Sequence, residues 1–153
     1  MRITEIISID SIAINFVVGS KEELLEKMLD LASKSGKISN RDVAFKEIKE
    51  REKIMSTGVG KGIALPHAKT NAVTDSVGSL AFLAEPLDYD SLDGEPVTIV
   101  FMLLGRENNV GNHLRLLSKI SRLMNNDSFR IQLEDCGTTE EVVDLFNKME
   151  END

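Results

Sequence analysis

At 153 residues, with 41% hydrophobic and 29% charged side chains, the chain is long enough to bury one core, and a single domain over residues 1–153 is expected. Its net charge of −8, from 26 acidic and 18 basic residues, leaves no basic stripe for a phosphate backbone, which excludes nucleic acid as the main partner and suits docking on a basic protein surface. The lone Cys136 excludes an internal disulfide and a cysteine metal cluster, no apolar run approaches the roughly 18 residues of a membrane span, and the N-terminus lacks a signal-peptide layout, so a cytoplasmic protein without membrane insertion is expected.

In chain order, residues 3–18 carry Ile3, Ile6, Ile7, Ile9, Ile12, Ile14, Phe16, Val17 and Val18, which predicts two strand-like pieces either side of Asp10-Ser11. Ser20-Lys21-Glu22-Glu23 is a capping box opening a helix with Leu24, Leu25, Met28, Leu31 and Ala32 on one side, stopped at Gly36. Asn40 caps a second predicted helix to about Glu52, with Val43, Ala44 and Ile48 inward and Arg51 carried to the mouth of a glycine-rich loop. Residues 77–84 and 97–104 read as strands. The second is the most continuous apolar run in the chain, suiting a central strand covered on both faces. Between them Asp93-Gly94 has hairpin-turn chemistry, although Pro96 argues for an edge or a loop. After a polar loop from Gly105 to Gly111, Asn112 caps a predicted helix to about Asn125, Asp127 a shorter one through Leu133, and Thr138-Thr139-Glu140-Glu141 opens a terminal helix with Val142, Val143, Phe146 and Met149 inward. Strands framed by helices predict an α/β fold: a single layered domain with a mixed, mostly central sheet and helices on both faces.

The chemistry concentrates in residues 51–70. Gly58, Gly60 and Gly62 let the backbone take unusual conformations and let a partner approach, while Pro66 stiffens the chain just before His67. His67 is expected at the end of a short strand, where an imidazole with an ordinary pKa of about 6.5 can be a nucleophile. Arg51, Lys61 and Lys69 supply positive charge for an anion, with phosphate the obvious candidate. The glycine spacing matches neither the dinucleotide fingerprint nor a Walker A loop, because Gly62 follows Lys61 where Ser or Thr is required. Pattern alone therefore leaves both a solvated loop histidine and a catalytic one open.

The second histidine, His113, shares a helical face with Leu117, Ile120 and Met124, which fits a half-buried end to an apolar stripe. It also stands at a predicted helix start, where free N–H groups favour anions. Adjacent parallel strands would bring both imidazoles to one sheet edge. Two histidines without cysteines or an H-x-x-E spacing fall short of a zinc set; Asp75, Asp88 or Glu107 as a third ligand has no support, and no metal or cofactor is expected.

Arg51-Glu52, the stretch Ser56 to Thr70, Leu92-Asp93-Gly94-Glu95-Pro96-Val97 with its following strand, and His113 to Leu123 together resemble the IIA proteins of the bacterial phosphotransferase system, fructose/mannitol class, over nearly the whole chain. The resemblance implies that His67 accepts a phosphoryl group from the phosphohistidine of the carrier HPr and passes it to a IIB component for sugar uptake. It also implies that His113 stabilises the phosphohistidine and that Arg51 assists through charge. Thr57 and the amides of Gly58, Gly60 and Gly62 are expected phosphate donors, a weaker inference of our own. A nitrogen-related branch implies the alternative, in which the phosphorylation state of the same histidine governs binding to regulatory target proteins. The chain departs from the family pattern at Gly105-Arg106, where Ala-Pro or a close relative is usual. Arg106 is then a solvated loop cation or an added phosphate or partner contact.

Overall fold

In the computed structural model, which describes residues 1–151, the apolar run at 97–104 lies inside strand β6 (Val97–Arg106), the hub of a six-stranded sheet. The other strands are β1 (Ile12–Phe16), β2 (Gly58–Gly60), β3 (Ile63–Ala64), β4 (His67–Thr70) and β5 (Val77–Leu87). Their order is β1-β5-β6-β3-β2, with β4 also paired to β6. β5 runs antiparallel to β6, β3 and β4 run parallel to it, and β1 is parallel to β5, so the sheet is mixed.

β6 is apolar without interruption from Ile99 to Leu104 because both its faces are covered there. Val100, Met102 and Leu104 join the cluster under α1 (Lys21–Ser33) and α2 (Arg41–Ile54). Ile99, Phe101 and Leu103 point the other way, into the cluster under α3 (Val110–Met124), α4 (Asp127–Glu134) and α5 (Thr139–Glu151). The predicted α/β domain with helices on both faces is the fold observed.

Local chemistry explains most element ends. Ser20 Oγ accepts from the Glu23 amide at 3.1 Å and Asn40 Oδ1 from the Val43 amide at 3.2 Å, so both helices begin where the capping pattern indicated. Five expectations are corrected. Residues 3–11 form two 3-10 turns, Ile3–Glu5 and Ile9–Ser11, rather than a strand, because Glu150 of α5 accepts the amides of Ile3 and Thr4 and holds the chain end-on. Val43 is exposed, while Ala44 and Ile48 of the same helix are buried. α3 starts at Val110, with Asn109 rather than Asn112 at its N-cap. Asn126, not Asp127, caps α4 by accepting the Phe129 amide at 3.0 Å. The 88–96 segment is a longer loop than a two-residue hairpin, with Gly94 at φ +76° making its turn.

Candidate active site around two histidines

β3 and β4 are one line of chain interrupted at Leu65-Pro66. β3 pairs with Ile99 and Val100, and β4 resumes opposite Leu103 to Arg106. His67 therefore opens a strand, where the sequence placed it at a strand end. The correction follows from Pro66, which has no N–H to donate, while its carbonyl still accepts the Leu103 amide at 3.0 Å. Alternation then sends Ala68 and Thr70 inward and leaves His67 and Lys69 on the α3 side of the sheet.

The Leu65 carbonyl fixes the imidazole. The Nδ1 of His67 lies 2.7 Å from the Leu65 carbonyl oxygen, two residues back. A carbonyl only accepts, so Nδ1 carries the proton and Nε2 keeps its lone pair. Burial lowers the pKa of His67, the Leu65 carbonyl pulls it back up, and the charge of Arg51 lowers it further. The net direction is downward, and the ring is neutral at neutral pH.

His113 meets it from the opposite wall. The chain leaves β6, turns, and brings α3 back over the same face, placing the two rings 6.0 Å apart, centroid to centroid, and tilted by 42°. His113 is the fourth residue of α3, not the first, and its amide already donates to the Asn109 carbonyl. The ring is 3% exposed, and burial, followed by the nearby charges of His67 and Lys69, brings its pKa down to about 4.

Both rings line a cleft of about 430 Å³ with Arg51, Lys69, Leu114 and Leu117. Arg51 reaches it from the last turn of α2, its guanidinium donating to the Met55 carbonyl at 3.0 Å. Lys61 does not join them. Its amide donates to Asp93, and its ammonium leans towards the Asn125 carbonyl and Asp127 at the start of α4.

Of the remaining expected phosphate ligands, Thr57 and the Gly58 amide are hydrogen-bonded within the protein. Thr57 is buried, its amide and hydroxyl both hydrogen-bonded to Glu52 and its hydroxyl also 3.0 Å from the Tyr89 hydroxyl. The Gly58 amide donates to Ser56 Oγ. Gly60 and Gly62 sit at φ +101° and +79°, making the tight turn between β2 and β3, with Asp93 and Thr98 packed where side chains would be. The glycines thus shape a turn against the 88–96 loop, and they brace the chain that ends in Leu65-Pro66-His67. Arg106 is tied to the Thr74 carbonyl at 3.0 Å and to Asn108, so it braces a loop.

Sequence reasoning missed the rim. Ile54 (81% exposed), Leu92 (66%) and Leu114 (57%) surround the histidine cleft and its neighbour beside Met55 and Val59. Ile54, three residues past Arg51, is the one legible signal, since an apolar residue closing a charged helix has no core to enter. Among the described residues no three His, Cys, Asp or Glu side chains are grouped to hold a metal, and no helix is long and apolar enough to cross a membrane.

Comparison with known proteins gives the arrangement its context. The chain is 34% identical over 148 residues to the fructose-specific EIIABC component of Bacillus subtilis, matching 97% of this chain but only 23% of that longer protein. It is 34% identical over 149 residues to the fructose-specific EIIA component of Haloferax volcanii, with 97% of each covered. The solved structure of the nitrogen regulatory protein IIA-Ntr from Neisseria meningitidis superposes with a TM-score of 0.87 at 34% identity, over 94% of this chain and 98% of that one. The family model described as the phosphoenolpyruvate-dependent sugar phosphotransferase system, EIIA 2, matches residues 5–149, and the chain belongs to that family.

Proposed function

We propose that the protein is a phosphoryl carrier, in which Nε2 of His67 takes a phosphoryl group from the phosphohistidine of HPr and passes it to a IIB component of fructose-type uptake. The observation that carries this is the 2.7 Å contact between His67 Nδ1 and the Leu65 carbonyl, which leaves Nε2 as the nucleophile in a cleft holding Arg51 and Lys69. As the Nε2–P bond forms, the donor's N–P bond breaks and the donor ring takes back its electron pair. The proton on Nδ1 stays in its hydrogen bond, and the Leu65 carbonyl steadies the charge the ring acquires. Phosphoryl transfer asks mainly for positioning and charge stabilisation. Arg51 and Lys69 offer charge to the phosphoryl oxygens, and neutral His113 offers a hydrogen bond without repelling the incoming ring.

The apolar rim fits a protein donor and a protein acceptor, since Ile54, Leu92 and Leu114 give a partner a dry contact ring around the reacting nitrogen. A IIB recipient is supported by the Bacillus relative, which carries A, B and C in the name of one component. The second reading, a nitrogen-type regulator whose His67 state governs partner binding, is supported by the Neisseria likeness. Phosphorylated HPr is mixed with the protein and with His67→Ala, and intact mass is read. One added phosphoryl group on the native chain and none on the variant is expected; no gain with phosphorylated HPr from several sources contradicts the carrier reading. Discharge by a fructose-type IIB then supports transport, and retention of the phosphoryl group in its presence supports regulation.

A further inference from the structure

Gly105 is the penultimate residue of β6 and alternates with Leu103 onto the α3 side. Its φ is not in the left-handed region, so backbone conformation does not call for glycine there. Space does. A Cβ on Gly105 would stand 3.0 Å from Cγ and 3.1 Å from Cβ of His113, and closer still to Nδ1. Carbon atoms in ordinary contact keep roughly 3.5–4.0 Å, so any side chain at 105 displaces the ring. The Nδ1 pressed against this glycine is buried and, among the described residues, has no hydrogen-bond partner. An orphaned N–H is rarer and costlier than an orphaned lone pair, so the proton belongs on Nε2, the nitrogen left to the cleft.

We propose that Gly105 is a positioning residue for phosphoryl transfer: its missing side chain seats the His113 imidazole against the β6 backbone, sealing Nδ1 and turning Nε2–H towards the phosphoryl group on His67. The proposal rests on the reading of His67 as acceptor. In this chain the ring lies too close to the β6 backbone for the alanine that is usual at this position in the family. With alanine at 105 the ring must retreat into the cleft, where Nδ1 meets water and the Nε2 donor is misaimed. The titratable and charged side chains that line the cleft with the ring from β4 and α2, namely His67, Lys69, Arg51, Glu47 and Glu50, are the same in both proteins, so a change in its titration reports its seat.

The test is Gly105→Ala in the full chain, read by imidazole ¹⁵N–¹H NMR and by the lifetime of the phosphorylated protein. In the native chain His113 is expected as the Nε2–H tautomer, titrating near its depressed value of about 4. In Gly105→Ala the titration is expected to climb towards about 6.5 and phospho-His67 to decay roughly tenfold faster. The same substitution in a His113→Ala background, where the methyl has room, is expected to change neither stability nor lifetime. An unmoved His113 titration in Gly105→Ala overturns the proposal. So does a Gly105→Ala defect that persists undiminished without His113, or a double variant that fails to fold. If the native chain takes no phosphoryl group, the carrier reading fails by itself, and the His113 titration still decides whether Gly105 seats the ring.

Discussion

Two buried polar clusters stand at the two ends of the segment that runs from α2 through β2 and β3 to β4, and they differ in how completely they are satisfied. Around Glu52, Lys21 stands at 2.9 Å, the Thr57 amide donates at 2.8 Å and the Tyr89 hydroxyl at 3.0 Å, with the Thr57 hydroxyl a further donor. Burial alone would raise the Glu52 pKa, but these donors outweigh it and hold the carboxylate below its usual range; the same burial beside an anion pushes the Tyr89 phenol up. The histidine pair, by contrast, keeps unspent capacity: a lone pair on His67 Nε2 and a buried His113 Nδ1 with no hydrogen-bond partner among the described residues. Satisfied polar groups pin the backbone, and unsatisfied ones wait for a ligand. Arg51 and Glu52, adjacent in sequence, face one cluster each, so a single turn of α2 ties the rigid cluster to the reactive one.

The sharpest way to break this contrast is His67→Ala. It should abolish phosphoryl acceptance by intact mass while costing about 1 kcal/mol or less in urea unfolding, because the ring opens on a cleft. A large stability loss would move His67 into the structural class. Glu52→Ala should do the opposite. Leaving Lys21, Thr57 and Tyr89 without their acceptor should cost roughly 3–5 kcal/mol in the same assay, and a near-neutral result would dissolve the distinction.

A pH series separates the clusters next. The folded-state pKa of His113 is about 4 against an ordinary value of about 6.5, so between these values the unfolded chain binds a proton that the folded chain refuses. Stability should therefore fall as pH drops from about 6.5 to 5, by about 2 kcal/mol, before the depressed carboxylates of Glu52 and Glu150 contribute at lower pH. His113→Ala should flatten most of that slope, with His67 supplying a remainder of the same sign. The smallest effect belongs to the rim. Leu92→Asp should weaken transfer from phosphorylated HPr through KM, by roughly tenfold, with stability unchanged; equal losses in kcat would place Leu92 in the chemistry instead.

What could be read from the sequence follows from the range of the forces involved. Ser20, Asn40 and the apolar run at 97–104 declared their elements because capping and period-two burial act within a few residues. The Ile-rich start misled because the acceptor that bends it, Glu150, lies at the far end of the chain. Asn112 and Asp127 are plausible caps displaced by Asn109 and Asn126, and a shift of one to three residues is finer than capping chemistry alone can discriminate. At the site, Arg51, His67 and His113 were legible as residues, and the structure brings all three to one cleft. The neighbours of Thr57 and Gly60 are hidden for a related reason: Tyr89 and Asp93 come from the loop before β6, although Glu52 lies only five residues from Thr57. Gly105 was visible only as a departure; its meaning needed the ring lying on it.

The most direct test is to identify the phosphorylated atom. Histidine-labelled protein is charged from phosphorylated HPr, and the imidazole ¹⁵N spectrum is recorded with ³¹P coupling. The expected result is a single phosphorus-coupled nitrogen, Nε2 of His67, with Nδ1 of the same ring still protonated and hydrogen-bonded. Phosphorus on His113, on Nδ1 of His67, or on neither ring would contradict it.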